Sequence, residues 1–258
     1  MSGQSRALIV ASGFLVSALA AQAESSIPDA VSKAVADAHR PPQQTKLDES
    51  RKPAEAVAFA GVKSGDRVVD FMPGNAYFTR ILAKVVGPRG RVYAFTPKEQ
   101  INNCDPAEIA GSRAIEHDPY YGNVFPVSAP VNQFSIPQKL DVIWIAQNYH
   151  DLHDSFLGPA DVKRVNKQFF QSLKPGGVLI VIDHAAAAGS GLRDTERLHR
   201  IDARSVRDEL EAAGFVFDGQ IDDLHNDADD HSLAVFDPRV RGRTDQFVYK
   251  FRKPKTLD

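Results

Sequence analysis

The chain lacks the cysteine pairs of disulfide-bonded proteins and the positive charge of nucleic-acid-binding proteins. It contains a single cysteine, Cys104, so it can form no internal disulfide bond. Its 31 lysine and arginine residues are balanced by 33 aspartate and glutamate residues, which gives a formal net charge of −2. Without a basic surplus the chain has no electrostatic footprint for nucleic acid, so no nucleic-acid partner is expected. It also has no internal repeat and no linker that would separate two domains.

The N-terminal segment has the pattern of a secretory signal peptide. Arg6 precedes an apolar run at residues 7–20, and residues 21–23 (Ala-Gln-Ala) supply a small-x-small cleavage site. A run of about 14 residues is too short for a helix to span a hydrocarbon core of roughly 30 Å. Cys104 lies far from this segment, so it is no lipoprotein attachment site. We therefore predict that residues 1–23 are a cleaved signal, that no stable membrane insertion follows cleavage, and that the chain is periplasmic or secreted.

Residues 24–258 are predicted to form one α/β domain, in which residues 24–52 are an N-terminal arm. Helical patterns alternate with apolar strand patterns through the first five strands, which favours a parallel sheet. The last two strands have no helix between them and are expected to pair antiparallel. The predicted strands lie at 67–71, 91–96, 123–128, 141–146, 178–183, from 215 onward, and at 246–251.

The turn after the first predicted strand is the leading candidate for a ligand site. Ligands of open α/β sheets bind outside the carboxyl ends of the strands, where the strand order reverses. Asp70 lies at the end of this strand, and the turn at residues 72–76 leads into a helix with apolar residues at helical spacing. A carboxylate beside the free N–H groups of a helix start suits a polar small molecule that carries both charge types.

A second motif follows later in the chain, where residues 174–177 (Lys-Pro-Gly-Gly) separate an amphipathic helix end from a buried strand. In this order and spacing, the two motifs and the terminal strand pair resemble a class I S-adenosylmethionine-dependent methyltransferase, from about Pro53 onward. The resemblance implies a Rossmann-like, doubly wound α/β sheet of seven strands, mostly parallel, with an antiparallel C-terminal strand. Within the superfamily, the chain resembles exported predicted methyltransferases in which a Pro-Gly-x-x-Tyr turn replaces the usual glycines.

The resemblance implies S-adenosylmethionine as the cofactor and assigns the turn to it. Asp70 and Gly74 match an acidic residue followed by a Gly-x-Gly-x-Gly turn, and Met72 and Ala76 stand where the outer glycines belong. Gly74 permits close approach of the backbone to a ligand, and Asn75 tolerates unusual backbone angles. Asp70, Met72, Gly74 and Asn75 are therefore predicted to contact the cofactor.

Four further residues are assigned to the cofactor by their positions after the next strands. Thr96 stands in place of the acidic residue that accepts hydrogen bonds from both ribose hydroxyls, and a threonine can form one of those bonds. Ser128 stands in place of the polar residue that reads the adenine amine. Gln147 and Asn148 directly follow the fourth strand.

A polar cluster after the fourth and fifth strands supplies the predicted catalytic side chains His150, Asp151 and His184. In this superfamily the position faces the methyl group and the substrate. Either histidine could deprotonate a hydroxyl, thiol or amine, because an unperturbed histidine has a pKa near 6.5, and Asp151 or Asp183 could orient it. Alternatively, His150, His153 and a carboxylate could bind a divalent metal. No metal is assigned, because the acidic motifs of catechol-type methyltransferases are not reproduced.

These observations predict methyl transfer from S-adenosylmethionine to a small-molecule substrate in the cell envelope. The alternative is a non-catalytic periplasmic ligand-binding or scaffold protein that retains the fold with an altered pocket. A nicotinamide-dependent oxidoreductase is disfavoured, because the Gly-x-Gly-x-x-Gly fingerprint is missing. The sequence specifies neither the substrate nor the oligomeric state.

Overall fold

The computed structural model describes residues 27–256, so the predicted signal peptide at 1–23 lies outside the described residues. Within that range seven strands follow the predicted apolar runs. They are β1 (Arg67–Phe71), β2 (Arg91–Phe95), β3 (Val124–Val127), β4 (Leu140–Ala146), β5 (Leu173–His184), β6 (Val216–Ile221) and β7 (Gln246–Arg252).

The strands form one sheet in the order β3-β2-β1-β4-β5-β7-β6. The first five pair in parallel, and β7 pairs antiparallel with both β5 and β6. The predicted seven-stranded, mostly parallel sheet with an antiparallel C-terminal strand is thus confirmed. The strand order reverses between β1 and β4, so the carboxyl ends of these two strands flank the crevice where ligands bind in such sheets.

Helices cover both faces of the sheet. On one face the helix at Tyr77–Val86 packs with Ile81 and Leu82, and on the other the helix at Val162–Ser172 packs with Val165 and Phe169; the two pairs of side chains are buried in separate apolar clusters. The helices are α1 (Asp29–Val35), α2 (Pro42–Thr45), α3 (Asp48–Arg51), α4 (Pro53–Ala60), α5 (Tyr77–Val86), α6 (Lys98–Asn103), α7 (Ala110–Ile115), α8 (Val162–Ser172), α9 (Thr195–Leu198) and α10 (Ala203–Ala212).

The described part of the N-terminal arm is packed against the domain. Val31 and Ala34 of α1 are buried in the same apolar cluster as the inner face of α5. The Arg40 guanidinium donates to the Asp48 carboxylate, and the Tyr77 hydroxyl at the start of α5 lies within hydrogen-bonding distance of the same carboxylate. The arm therefore supports the helix that begins at the candidate ligand turn.

The Pro-Gly-Gly segment does not form a turn ahead of β5, as the sequence predicted, but a bulge within it. Leu173 already pairs with Leu140, and the next pair joins Val178 to Val142. One residue of β4 therefore faces four of β5. Glycine suits position 177, because a Cβ there would approach the Lys174 carbonyl oxygen to 3.0 Å, closer than most Cβ contacts. The apolar pattern predicted only the regular part of the strand.

Across residues 27–256, no helix combines the length and the apolar character that a membrane crossing would require.

Candidate active site

The crevice at the carboxyl ends of β1 and β4 collects unusual backbone conformations. Met72 follows β1 with φ of 56°, Gln147 follows β4 with φ of 63°, and His199 lies beyond β5 with φ of 52°. Residues with a Cβ rarely adopt such left-handed angles, and where they do, the surrounding structure holds them. Residues held in this way cluster at functional sites, so they mark this edge as the candidate site.

The turn after β1 has the backbone of a glycine-rich loop without its outer glycines. Met72, Gly74 and Ala76 all have positive φ, at 56°, 52° and 59°. These are the three positions that the Gly-x-Gly-x-Gly pattern occupies. Met72 and Ala76 are buried, so packing of their side chains holds them in a conformation that L residues disfavour. The turn therefore keeps its shape although its sequence departs from the pattern.

The turn is open on one side and covered on the other. Within the described residues, the backbone N–H groups of Gly74 and Asn75 have no hydrogen-bond acceptor, and both residues are at least partly exposed to solvent. The other side contacts the start of α7, where the Gly111 N–H donates to Asn75 Oδ1 at 3.0 Å and the Ser112 N–H donates to the Gly74 carbonyl at 3.2 Å. A Cβ on Gly111 would collide with the Asn75 backbone at 2.2 Å. Helix α7 and the turn therefore pack closely, backbone against backbone.

Asp70 does not present the open, ionised carboxylate that the sequence suggested. Its side chain is buried, and Oδ2 accepts a hydrogen bond from the Thr79 hydroxyl at 2.6 Å. Burial raises the pKa of Asp70 to about 7, and the hydrogen bonds from Thr79 oppose this rise only in part. No ion pair involves Asp70 in the part of the chain that the structure describes. Its visible role is to join the end of β1 to the first turn of α5.

Thr96 and Ser128, predicted from separate strands, line one cavity of about 320 Å³. It lies at the carboxyl ends of β2 and β3, under α7, and Ser112 also lines it. Because the Ser112 backbone bonds to Gly74, the cavity adjoins the turn after β1. A volume of this size lies at the lower end of the range of about 300–1,000 Å³ for small-molecule pockets.

Gln147 and Asn148 lie elsewhere and do not line this cavity. The Gln147 side-chain amide donates to Gln246 Oε1 at 3.0 Å, and the Asn148 amide donates to Asp151 Oδ2 at 3.2 Å. The predicted cofactor residues therefore divide into two groups. One lies around α7, and the other lies beside a polar cluster that contains His150, Asp151, Asp154 and His199.

His150 lies at the centre of that cluster, directly after β4. Its Nδ1 lies 2.8 Å from Asp183 Oδ1, and its backbone N–H donates to Asp183 Oδ2 at 2.8 Å. Its Nε2 lies 3.1 Å from Asp151 Oδ1. Burial alone would lower the pKa of His150, but the carboxylates of Asp183 and Asp151 raise it well above its usual range. The two carboxylates therefore favour the protonated ring, in which both nitrogens donate.

Asp154 and His199 join this cluster, although neither was assigned from the sequence. His199 Nδ1 lies 3.7 Å from Asp154 Oδ2 and 3.9 Å from Asp151 Oδ1. His199 reaches the cluster because the chain returns to it after β5 through α9. Asp154 ends the polar run that follows β4, so its position in the sequence indicated that it could lie near the site. Its burial could not be predicted from the sequence.

His184 and His153 are held outside this cluster. His184 Nδ1 lies 2.8 Å from the Thr244 hydroxyl, and burial lowers the pKa of His184 to about 3, so the ring is neutral. His153 Nε2 lies 3.3 Å from Glu209 Oε2, which also accepts from the Tyr149 hydroxyl at 2.8 Å. The metal alternative that used His153 is therefore not supported by the geometry.

No family model matches the chain. Two curated relatives do, each named ubiquinone/menaquinone biosynthesis C-methyltransferase. The protein from Saccharophagus degradans is 28% identical over 128 residues, which cover 49% of this chain and 46% of the relative. The protein from Teredinibacter turnerae is 28% identical over 144 residues, which cover 55% and 53%. The chain thus spans about half the length of the curated relatives it matches.

Solved structures match over more of the chain. A methyltransferase from Aquifex aeolicus described as SAM-dependent has a TM-score of 0.55 at 19% identity and covers 83% of this chain and 98% of its own. An S-adenosylmethionine-dependent methyltransferase from Mesorhizobium loti has a TM-score of 0.55 at 16% identity, covering 80% and 99%. The [4+2]-cyclase SpnF has a TM-score of 0.58 at 16% identity, covering 80% and 82%. At such identities the likeness concerns the fold. The chain thus has the fold of these S-adenosylmethionine-dependent methyltransferases, and about half of it is similar in sequence to two proteins named as C-methyltransferases.

Proposed function

We propose that the chain binds S-adenosylmethionine and transfers its methyl group to a small molecule. One observation carries the proposal: the turn from Met72 to Ala76 retains the three left-handed residues of a glycine-rich loop, and two of its N–H groups are free. Free N–H groups at the start of a helix attract a carboxylate, which the methionine part of the cofactor carries. A purely structural corner could be built from ordinary conformations, without two strained residues.

The cavity that adjoins this turn could bind the adenosine part of S-adenosylmethionine. Thr96 and Ser128 offer hydroxyls at the ends of β2 and β3, where the resemblance expects contacts to ribose and adenine. The named activity of the curated relatives supports the same reaction class, although they match over only about half their length. The cyclase among the structural neighbours shows that a shared fold does not fix the reaction, so the proposal is argued from the turn and the cavity.

On the substrate side, the predicted catalytic residues remain a proposal. His150 and Asp151 follow β4 at the crevice edge, and His184 is the last residue of β5, with its Nδ1 engaged by Thr244. Asp183 fixes the His150 ring, so that its Nε2 atom faces the cluster, where Asp151 Oδ1 lies 3.1 Å away.

Calorimetric titration of the mature protein with S-adenosylmethionine and S-adenosylhomocysteine tests the proposal. We expect saturable binding of both ligands. Thr96→Val keeps the side-chain shape and deletes one hydroxyl, so it should weaken binding about two- to tenfold, the worth of one neutral hydrogen bond. The matched control is Thr45→Val, which changes an exposed threonine of α2 away from the cavity. The absence of binding to either ligand at millimolar concentration would remove the proposal.

We further propose that the protein acts in the cell envelope, a location supported by the signal-like segment at residues 1–23. Incubation of the protein with methyl-labelled S-adenosylmethionine and an envelope extract tests whether the envelope contains an acceptor for the methyl group. Transfer of label to a small molecule supports the enzyme. Ligand binding without transfer supports instead the alternative of a binding or scaffold protein on the same fold.

A further inference from the structure

We propose that His150, Asp151, Asp154 and His199 together form a binding site for a divalent first-row transition metal ion. The proposal concerns side chains at the crevice edge beyond β4 and β5 and does not depend on methyl transfer. One ligand atom from each of these residues can be chosen so that all four lie within 4.8 Å of one another.

The spacing of these atoms approaches that of a coordination sphere. Three of the nitrogen–oxygen separations are 3.1 Å between His150 Nε2 and Asp151 Oδ1, 3.7 Å between His199 Nδ1 and Asp154 Oδ2, and 3.9 Å between His199 Nδ1 and Asp151 Oδ1. Ligands about 2.1 Å from a metal are separated from one another by about 3.0 Å at right angles and about 3.4 Å in a tetrahedron. The separations of 3.7 and 3.9 Å exceed the tetrahedral value by about 0.3–0.5 Å, and the widest separation, at most 4.8 Å, exceeds it by at most about 1.4 Å, so the side chains would draw together around a bound ion.

Asp154 supplies an independent indication that a cation belongs here. Its side chain is 2% exposed, and neither carboxylate oxygen accepts a hydrogen bond within the described residues. The Thr195 hydroxyl, which approaches it, donates instead to the Leu192 carbonyl at 3.3 Å. A buried carboxylate without hydrogen-bond partners is costly, and a buried charge is normally paired or bound to a metal. Asp154 lies next to His199 and faces the cluster, where an ion would satisfy it.

The surrounding hydrogen bonds orient the ligands as metal sites require. Asp183 accepts from His150 Nδ1, so the Nε2 atom of that ring faces the cluster. Asn148 donates to Asp151 Oδ2, which leaves Oδ1 directed at the two histidines. A carboxylate behind a ligating histidine and a hydrogen bond behind a ligating carboxylate are the usual outer contacts of such sites. The arrangement thus has an outer shell as well as ligands.

The donor set indicates the type of ion. Two imidazole nitrogens and two carboxylate oxygens suit Zn²⁺, Mn²⁺, Fe²⁺ or Co²⁺, whereas Mg²⁺ and Ca²⁺ prefer oxygen ligands alone. The His199 side chain is 30% exposed, while those of His150 and Asp154 are almost fully buried. The site therefore opens to solvent on the His199 side, where an oxygen atom of a further ligand can approach the ion.

Metal titration of the full mature chain tests the proposal. The protein is stripped with a chelator, dialysed and titrated with Co²⁺, Mn²⁺ and Zn²⁺, and bound ion is quantified by calorimetry and by elemental analysis. We expect one ion per chain. Asp154→Asn and His199→Gln should each weaken binding about tenfold or more. His153→Gln, in the same helical turn but bonded to Glu209, should bind as the parent does.

Two results would overturn the proposal. One is the lack of saturable binding of all three ions at millimolar concentration to a chain whose circular dichroism shows that it is folded. The other is binding that neither Asp154→Asn nor His199→Gln weakens. Because Asp154→Asn is nearly isosteric and His199 is partly exposed, at least one of the two variants is expected to fold. Metal content is measured without reference to methyl transfer, so failure of one proposal is distinguishable from failure of the other.

Discussion

The replacement Ala76→Gly tests whether the turn after β1 is held in a conformation that its own residues disfavour. Ala76 precedes α5 with φ of 59° and is fully buried. In that conformation the Cβ of an L residue crowds the following carbonyl oxygen, and glycine is free of this contact. Ala83, in the middle of the same helix, is also buried and has ordinary helical geometry, so Ala83→Gly is a matched control.

The opposing contributions at Ala76 almost cancel. Glycine removes strain of about 1–2 kcal/mol. Loss of the buried methyl group lowers the free energy of unfolding by about 0.8 kcal/mol. The greater conformational freedom of glycine in the unfolded chain lowers it by about 0.4–1 kcal/mol more. The free energy of unfolding should therefore stay within about 1 kcal/mol of the parent. At Ala83 there is no strain to relieve, so the helix penalty of about 1 kcal/mol and the lost methyl group add up to about 2 kcal/mol.

Urea unfolding followed by circular dichroism measures both values, compared at equal slope with denaturant concentration. We expect Ala76→Gly to be the more stable of the two variants by about 1–2 kcal/mol. If Ala76→Gly lost as much stability as Ala83→Gly, the turn would carry no strain, and the argument that it conserves a functional backbone shape would fail.

Two further predictions follow from Asp70 and Thr96. Burial raises the pKa of Asp70 to about 7 in the folded chain, whereas its pKa in an unfolded chain is about 3.9. The folded chain therefore holds this proton more tightly, and the free energy of unfolding falls as the pH rises from about 4 to about 7. Asp70→Asn should therefore lose less stability than the parent between pH 5 and pH 8 in urea unfolding, and equal losses would contradict the assignment. Thr96→Glu restores an acid where the superfamily binds ribose and should tighten S-adenosylmethionine binding about tenfold, because charge-assisted bonds replace a neutral one. Thr96→Gln introduces a side chain of the same shape as glutamate but without its charge, so it should show no such gain. Weaker S-adenosylmethionine binding by a folded Thr96→Glu variant would argue against ribose at this position.

Much of the fold could be predicted because its signals are local. The apolar runs of β1 and β4 and the helical spacing of α5 each report burial over a few neighbouring residues. Asp202 shows the same for a helix end, because its carboxylate accepts from the Arg204 N–H at 3.0 Å, the local bond for which aspartate is preferred before a helix. The bulge in β5 was missed because glycine and proline predict a break in a strand but not whether pairing resumes on the far side.

The sequence by itself determined the order of strands and helices, the antiparallel end of the sheet and the carboxyl-terminal edge at which a site would lie. Only the tertiary structure decided that Met72 and Ala76 keep the backbone of glycines, that Thr96 and Ser128 share one cavity, and that His199 meets Asp154. The reason is physical. Element type follows from contacts between near neighbours, whereas the convergence of side chains distant in sequence depends on how the whole sheet orders its strands and returns each loop to its edge.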